Sequence, residues 1–145
     1  MKTRITELLA IEHPIFQAAM SWASSNSALV AAVSNAGGMG VLAGGPMRSP
    51  DFKKVLQEIF SLTPRPFGVN IPLNNPRAPE LLEIAFQERI PVMVASQGGP
   101  REHLAASLKV RPMAMTSPTD FICGPRFSSA PGNFSNCHLG IFTTT

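Results

Sequence analysis

The sequence has few cysteines, little net charge and no long apolar run, and each shortage argues against a class of protein. Its two cysteines, Cys123 and Cys137, are too few for a disulfide scaffold and lack the spacing of a four-ligand zinc site. Twelve Lys and Arg against nine Asp and Glu leave a net charge of +3, which argues against nucleic-acid binding. No segment approaches the roughly 18 apolar residues of a membrane span, and residues 1–12 do not resemble a secretory signal. We therefore expect a cytoplasmic protein with neither nucleic-acid nor membrane partners.

The chain does have enough apolar residues for a core, and it also has many residues that favour turns. Hydrophobic residues make up 44% of 145 positions, together with 14 Pro and 11 Gly, which indicates one domain of many short elements. Four short apolar segments begin near Pro14, Met39, Phe67 and Ile90, about 25 residues apart, and a helix-like stretch follows each. Apolar strands alternating with helices predict an α/β fold with a parallel sheet and right-handed crossovers.

The clearest helix signal follows Ser49-Pro50, a typical helix start. The next apolar residues recur at helical spacing, with lysine, glutamine and glutamate on the other side. An earlier helix is expected to begin at the Ser24–Ser27 cluster and to end at Gly37-Gly38, and a later one begins at Pro79. The apolar residues of the clearest helix are Phe52, Val55, Leu56, Ile59 and Phe60.

The last quarter of the chain lacks this pattern. Residues 109–145 contain a single acidic residue, Asp120, and show neither helical nor alternating periodicity beyond a few positions. Val110–Met115 is a candidate fifth strand, although Pro112 argues against it. We therefore predict a βα domain over residues 3–108 and an irregular, poorly ordered tail over residues 109–145.

Functional residues are expected at the carboxyl ends of the strands, where a parallel sheet exposes its connecting loops. After the first strand, Ala18 and Ala19 are small enough to let a flat ring approach the backbone beside Met20. Asn70 ends the third strand and can hydrogen-bond the edge of a heterocycle, and residues 96–99 follow the fourth. Each of these residues also fits an ordinary role in packing or in a turn.

Other glycine and histidine patterns carry little chemistry. The glycine-rich stretch at residues 37–40 precedes a strand, whereas a dinucleotide-binding fingerprint follows one. The sequence has no Walker motif, no metal-binding histidine pair and no nucleophile elbow. We predict no metal site, and the sequence gives little support to a hydrolase.

Three stretches together resemble the nitronate monooxygenase family, formerly called 2-nitropropane dioxygenases. They are residues 13–20 (HPIFQAAM), residues 31–40 (AAVSNAGGMG) and residues 66–70 (PFGVN), and they stand in the order and spacing of that family. Residues 96–100 (SQGGP) resemble the loop after the family's fourth strand. The resemblance covers roughly residues 3–108. Residues 31–40 are specific to the family because this one stretch contains both the end of a helix and the start of the next strand.

This resemblance implies an FMN-dependent (β/α)₈ barrel that oxidises alkyl nitronates with O₂ to a carbonyl compound and nitrite. It also implies that the flavin lies against Ala18, Ala19 and Met20 and that Asn70 contacts it. Family members usually have proline where this chain has Ala19. An enoyl-thioester reductase, another flavin enzyme, is an alternative that the sequence leaves open.

Four βα units amount to half of an eight-unit barrel, which needs roughly 200 residues or more. We therefore expect a truncated barrel without the family's catalytic histidine and phosphate site, and we assign no catalytic role to His13, His103 or His138. A catalytically silent half-barrel is the alternative to an active enzyme. Its first and fourth strands are expected to have unpaired edges that allow self-association, and Val41, Val69 and Val92 are expected to lack half of their packing partners.

Overall fold

A computed structural model of the chain describes residues 2–97, 121–123 and 140–143. Its helices are α1 (Arg4–Leu9), α2 (Ser27–Asn35), α3 (Ser49–Leu62) and α4 (Ala78–Gln87), with a 3-10 turn at Ser21–Ser24. Its strands are β1 (Val41–Ala43), β2 (Gly68–Pro72), β3 (Val92–Ser96), β4 (Phe121–Cys123) and β5 (Gly140–Thr143).

The strands form one sheet in the order β1-β2-β3-β5-β4. The first three strands are parallel, with Leu42 opposite Val69 and Val69 opposite Met93. Strand β5 runs antiparallel to β3, and β4 runs antiparallel to β5. The predicted α/β fold with a parallel sheet is therefore confirmed.

Helices α2, α3 and α4 cover one face of the parallel strands, which we call the helical face. The amphipathic pattern predicted for α3 is confirmed, since Phe52, Leu56 and Ile59 are fully buried, while Phe60 is exposed and its ring meets Phe67 edge to face. Strand residues alternate between faces, so every second residue joins this core. The sheet residues in it are Leu42, Val69, Ile71 and Met93.

We call the opposite face of the sheet the inner face. Near the amino ends of the strands it is covered by α1 and by the residues that follow α1. There Leu9 and Ile11 pack with Val41 and Val92 in a second apolar cluster. The expectation that Val41 and Val92 lack half of their packing partners is therefore wrong, because α1 and Ile11 cover them and both are buried. The expectation is also wrong for Val69, which belongs to the helical face.

The predicted first strand forms only one bridge, from Phe16 to Met39 of the segment before β1. Beyond this bridge, side chains replace a strand along β1. The amide of Gln17 accepts a hydrogen bond from the Val41 N–H and donates one to the Val41 carbonyl, both at 3.2 Å. The hydroxyl of Ser25 donates to the carbonyl of Ala43 at 2.8 Å. The edge of β1 is thus covered by polar side chains in place of a full strand at residues 14–20.

The open edge predicted for the fourth strand, which is β3, is wrong, because β5 pairs with β3 from Val92 to Ala95. Strands β4 and β5 arise from the segment predicted to be irregular, so that description fails for these seven positions. Among the described residues, β4 is now the outermost strand on this side. The candidate strand Val110–Met115, together with His103 and His138, lies outside the described residues.

Candidate functional site

A cavity of about 570 Å³ opens at the carboxyl ends of β1, β2 and β3. The strands supply part of its wall, and the segments that follow them supply the rest. None of the described residues in the wall has a charged side chain. Its residues are Ala19, Ser21, Ala43, Gly45, Pro46, Asn70, Pro72, Asn74, Asn75, Pro76, Ser96 and Gln97.

The inner face changes from core to cavity along the strands. Near the amino ends, Val41, Gly68 and Val92 lie opposite one another in the strand register, and both valines pack under α1. Two residues further on, Asn70 lies between Ala43 and Val94. Ala43 and Asn70 line the cavity, whereas Val94 still packs with the apolar cluster. The change from apolar to small or polar residues therefore places the cavity where functional residues were expected.

The side chain of Asn70 is held in one orientation by its neighbours on β3. Its Nδ2 donates to the carbonyl of Val94 and to Oγ of Ser96, each at 3.1 Å. The Ser96 hydroxyl also lies 3.3 Å from Oδ1. Because an amide nitrogen has two protons, both are used within the protein. The oxygen Oδ1, which has two lone pairs, keeps the capacity to accept a hydrogen bond from a ligand.

The four residues predicted to contact a flavin do not all reach the cavity. Ala19 and Asn70 line it, whereas Ala18 and Met20 flank Ala19 on the same segment without lining it. Met20 is half exposed, and its N–H donates to the Ser24 hydroxyl.

Among the other candidate residues, Ser96 and Gln97 line the cavity. Residues 98–99 lie outside the described residues. Of the residues that the structure describes, no histidine lines the cavity: the backbone N–H groups of His13 and Glu12 both donate to the carbonyl of Gly37, before β1.

Sequence reasoning missed the residues between β2 and α4. The Nδ2 of Asn75 donates to the carbonyl of Gly45 at 2.8 Å, which joins this loop to the loop after β1. The signal was present in the sequence as the run Asn74-Asn75-Pro76, since asparagine and proline mark a turn after a strand. Its partner Gly45 could not be found locally, because the two residues are far apart in the chain.

Glu12, which lies away from the cavity, has a shifted pKa. Glu12 hydrogen-bonds and pairs with Arg65, and this contact holds the pKa of its carboxyl group below the usual value. Among the described residues, no group of three or more His, Cys, Asp or Glu is placed to hold a metal ion. No helix in this part of the chain is long and apolar enough to cross a membrane.

Parallel strands, covering helices and a cavity at the carboxyl ends define an α/β protein of the ligand-binding type. The family model for nitronate monooxygenase matches residues 2–118. The chain belongs to the nitronate monooxygenase family.

Two relatives show how much of the chain is shared. A protein of Rhodococcus jostii (strain RHA1), named (3aS,4S,5R,7aS)-5-hydroxy-7a-methyl-1-oxo-octahydro-1H-indene-4-carboxyl-CoA dehydrogenase, is 36% identical over 110 residues, covering 75% of this chain and 30% of that protein. Nitronate monooxygenase of Paraburkholderia phytofirmans is 43% identical over 75 residues, covering 52% of this chain and 20% of that protein.

Solved structures share the same fold. FabK from Thermotoga maritima superposes with a TM-score of 0.66 at 40% identity, over 74% of this chain and 35% of that chain. Nitroalkane oxidase from Streptomyces ansochromogenes has a TM-score of 0.59 at 26% identity, over 74% and 40%. The chain thus spans well under half the length of the relatives and structures it matches.

Proposed function

We propose that residues 3–108 form the amino-terminal half of a flavin-binding (β/α)₈ barrel and that the cavity holds the ring of FMN. The observation that carries this proposal is the position of Ala19 and Asn70 in one uncharged cavity at the carboxyl ends of parallel strands. A volume of about 570 Å³ lies within the roughly 300–1,000 Å³ of small-molecule sites.

The cavity wall fits a flat heterocycle. Ala19 has no side chain beyond Cβ, so a ring can approach its backbone. The Oδ1 of Asn70 can accept a hydrogen bond from a ring N–H, and its amide is already held by Val94 and Ser96. A side chain fixed before binding loses little conformational freedom on binding, which favours affinity.

A bound flavin would supply two-electron oxidation of the substrate with O₂ as the acceptor. By family membership, the proposed substrate is an alkyl nitronate and the products are a carbonyl compound and nitrite. The described residues contribute binding and orientation, through Ala19 and Asn70. We assign no proton-transfer residue among the described residues of the wall.

A thioester substrate is the second candidate, and the relative from Rhodococcus jostii favours it. That protein is named a carboxyl-CoA dehydrogenase and matches 75% of this chain. The Paraburkholderia nitronate monooxygenase matches 52%. A flavin enzyme acting on a CoA thioester would use the same ring site and a different substrate.

Flavin titration of the full 145-residue chain tests the site. We expect the Asn70→Ala variant to bind FMN about 5–30-fold more weakly, because one hydrogen bond to the ring is lost. The matched control is Asn35→Ala, whose side chain bonds to Thr63 and Leu62 at the carboxyl end of α3. Equal FMN affinity for Asn70→Ala and wild type, with circular dichroism showing a folded variant, would contradict the proposed ring contact.

Turnover assays separate the candidate activities. Nitrite release from an alkyl nitronate in air supports the monooxygenase, whereas flavin-dependent reduction of an enoyl thioester supports the second candidate. For this chain alone we expect neither, and we expect dimers or aggregates in light scattering. A monodisperse chain that releases nitrite when loaded with FMN would overturn the alternative that this chain is a catalytically silent half-barrel.

A further inference from the structure

The polar side chains of the cavity wall differ in whether the protein already holds them. Asn70, Asn75 and Ser96 are fixed by hydrogen bonds to other described residues. Asn74 and Gln97 also line the cavity, but their carboxamide groups have no hydrogen-bond partner within the described part of the chain. Both residues are exposed. Each carboxamide therefore keeps two N–H donors and an oxygen acceptor for a ligand.

The end of the sheet brings these two residues together. Pro72 lies opposite Ser96 where β2 and β3 end, and the N–H of Leu73 donates to the carbonyl of Ser96 at 2.7 Å. Asn74 and Gln97 are the next residues on the two segments that this bond joins. We call these two residues the carboxamide pair.

The backbone of Gln97 is in the left-handed region, with a φ of 56°, which residues with a Cβ rarely adopt. Among the described residues other than glycine, Ala10, Ser21 and Arg89 also have a positive φ. Ala10 and Arg89 follow the last turns of α1 and α4, where a left-handed residue is common. Ser21 and Gln97 end no α-helix, and both line the cavity. Backbone strain of this kind concentrates at ligand-binding sites.

The position of the carboxamide pair suits contact with a substrate better than contact with the flavin tail. Asn70, the proposed ring contact, is partly buried, whereas Asn74 and Gln97 are exposed, so the pair lies toward the mouth of the cavity. The phosphate site of the family is expected on later strands of the barrel. The flavin tail would therefore lead away from β2 and β3, and a substrate entering from the mouth would pass the pair.

Both candidate substrates have oxygen atoms that accept hydrogen bonds. A nitronate has two oxygens that share its negative charge, and a thioester has a carbonyl oxygen. None of the described wall residues is charged, so neutral N–H groups are the donors that this part of the wall offers. We propose that the carboxamide N–H groups of Asn74 and Gln97 bind an oxygen of the substrate. This inference rests on the proposed function and adds a substrate contact to the ring contacts of Ala19 and Asn70.

Isothermal titration of the FMN-loaded full chain under argon tests the pair with two probes, ethylnitronate and the saturated thioester butyryl-pantetheine. Gln97→Glu and Asn74→Asp keep the size of each side chain and replace its N–H donors with oxygen. Each variant is expected to bind ethylnitronate about 10–100-fold more weakly, because a hydrogen bond to a charged group is lost. For the neutral thioester carbonyl, the expected loss is about 3–10-fold. The affinity for FMN should stay within about twofold of wild type.

Two further variants separate the loss of donors from the added charge, and circular dichroism checks that each variant is folded. Gln57→Glu makes the same change at an exposed residue of α3 outside the cavity wall and is expected to change no affinity. Gln97→Gly removes the carboxamide without adding charge, and glycine accepts a positive φ. We expect it to weaken probe binding about 3–30-fold. A loss in Gln97→Glu that is absent in Gln97→Gly would be an effect of charge and would overturn the inference.

The two probes also identify the substrate class. A loss confined to ethylnitronate assigns the pair to a nitronate, and a loss confined to butyryl-pantetheine assigns it to a thioester. Losses for both probes support a contact with the oxygen that the two classes share. Unchanged binding of both probes in either Gln97→Glu or Asn74→Asp overturns the inference.

The same titrations separate this inference from the proposed function. Weaker FMN binding with unchanged probe binding would assign the pair to the flavin and overturn the inference while the ring site stands. If wild type does not bind FMN, the ring site fails, and a probe that binds the flavin-free chain but neither Gln97→Glu nor Asn74→Asp would still support the inference. If wild type binds neither probe, the inference is overturned.

Discussion

The two faces of the parallel sheet are stabilised in different ways. The helical face is a continuous apolar core in which Phe52 and Leu56 of α3 are fully buried against Leu42 and Ile71. The inner face is apolar near the amino ends of the strands and at Val94 of β3. Toward the carboxyl ends it depends on hydrogen bonds from side chains such as Asn70. A face held by polar groups leaves room for a ligand, whereas a packed face does not.

The largest expected effect is on the helical face. Phe52→Ala should lower the free energy of unfolding by about 3–5 kcal/mol, because a fully buried ring is replaced by a cavity. Urea unfolding of the full chain measures the change. The matched control, Phe60→Ala on the same helix, is expected to cost clearly less because this ring is 44% exposed. Similar costs for both variants would show that α3 does not pack as described.

A pair of glycines compares the two faces directly. A Cβ on Gly40 would lie 2.2 Å from the carbonyl oxygen of Val30 in α2, whereas a Cβ on Gly68 would have its nearest contact with Val41, at 3.4 Å. Gly40→Ala should therefore destabilise the fold by roughly 1–3 kcal/mol or more. Gly68→Ala should be neutral or stabilising by up to about 1 kcal/mol, because alanine restricts the unfolded chain. Thermal unfolding of both variants gives the comparison, and a reversed order would contradict the packing of α2 on β1.

Gln17 tests how far side-chain hydrogen bonds replace a strand. Gln17→Ala removes both bonds to the backbone of Val41, and we expect a loss of about 1–2 kcal/mol. Amide hydrogen exchange should speed up at Val41, since its N–H loses its bond to Gln17. Gln87→Ala is the control, because this exposed residue bonds only to Glu83 in its own helix. Unchanged exchange at Val41 would argue against coverage of the β1 edge by Gln17.

The smallest expected effect is that of the exposed Glu12–Arg65 pair. Arg65 lowers the pKa of Glu12 in the folded state, so the pair stabilises the fold above the unfolded-state pKa of glutamate. This contribution is lost as the pH falls through the lower pKa of the folded state. An NMR titration of the Glu12 carboxyl should show the pKa rising toward its usual value in Arg65→Gln and staying in place in Arg89→Gln. An unchanged pKa in Arg65→Gln would exclude this pair as the cause.

Local patterns in the sequence were enough to predict the βα elements. Helix α3 follows from apolar spacing and Pro50, and strands β2 and β3 follow from short apolar runs bounded by turn residues. Asn70 was expected to end its strand, whereas it is the middle residue of β2 and its side chain lines the cavity. Periodicity predicted none of the partners of these elements. It predicted a strand at residues 14–20, where the chain forms one bridge and then uses the Gln17 side chain.

The sequence by itself determined the order of helices and strands, since backbone propensity, apolar spacing and turn residues act over a few neighbours. Only the tertiary structure decided what covers each edge and face. Gln17 reaches Val41 across 24 residues, and Arg77 reaches Gly45 across 32. Strand β5 joins β3 in an antiparallel direction that no local signal specified. The physical reason is that these hydrogen bonds form only after chain segments distant in sequence have been brought together by packing of the core.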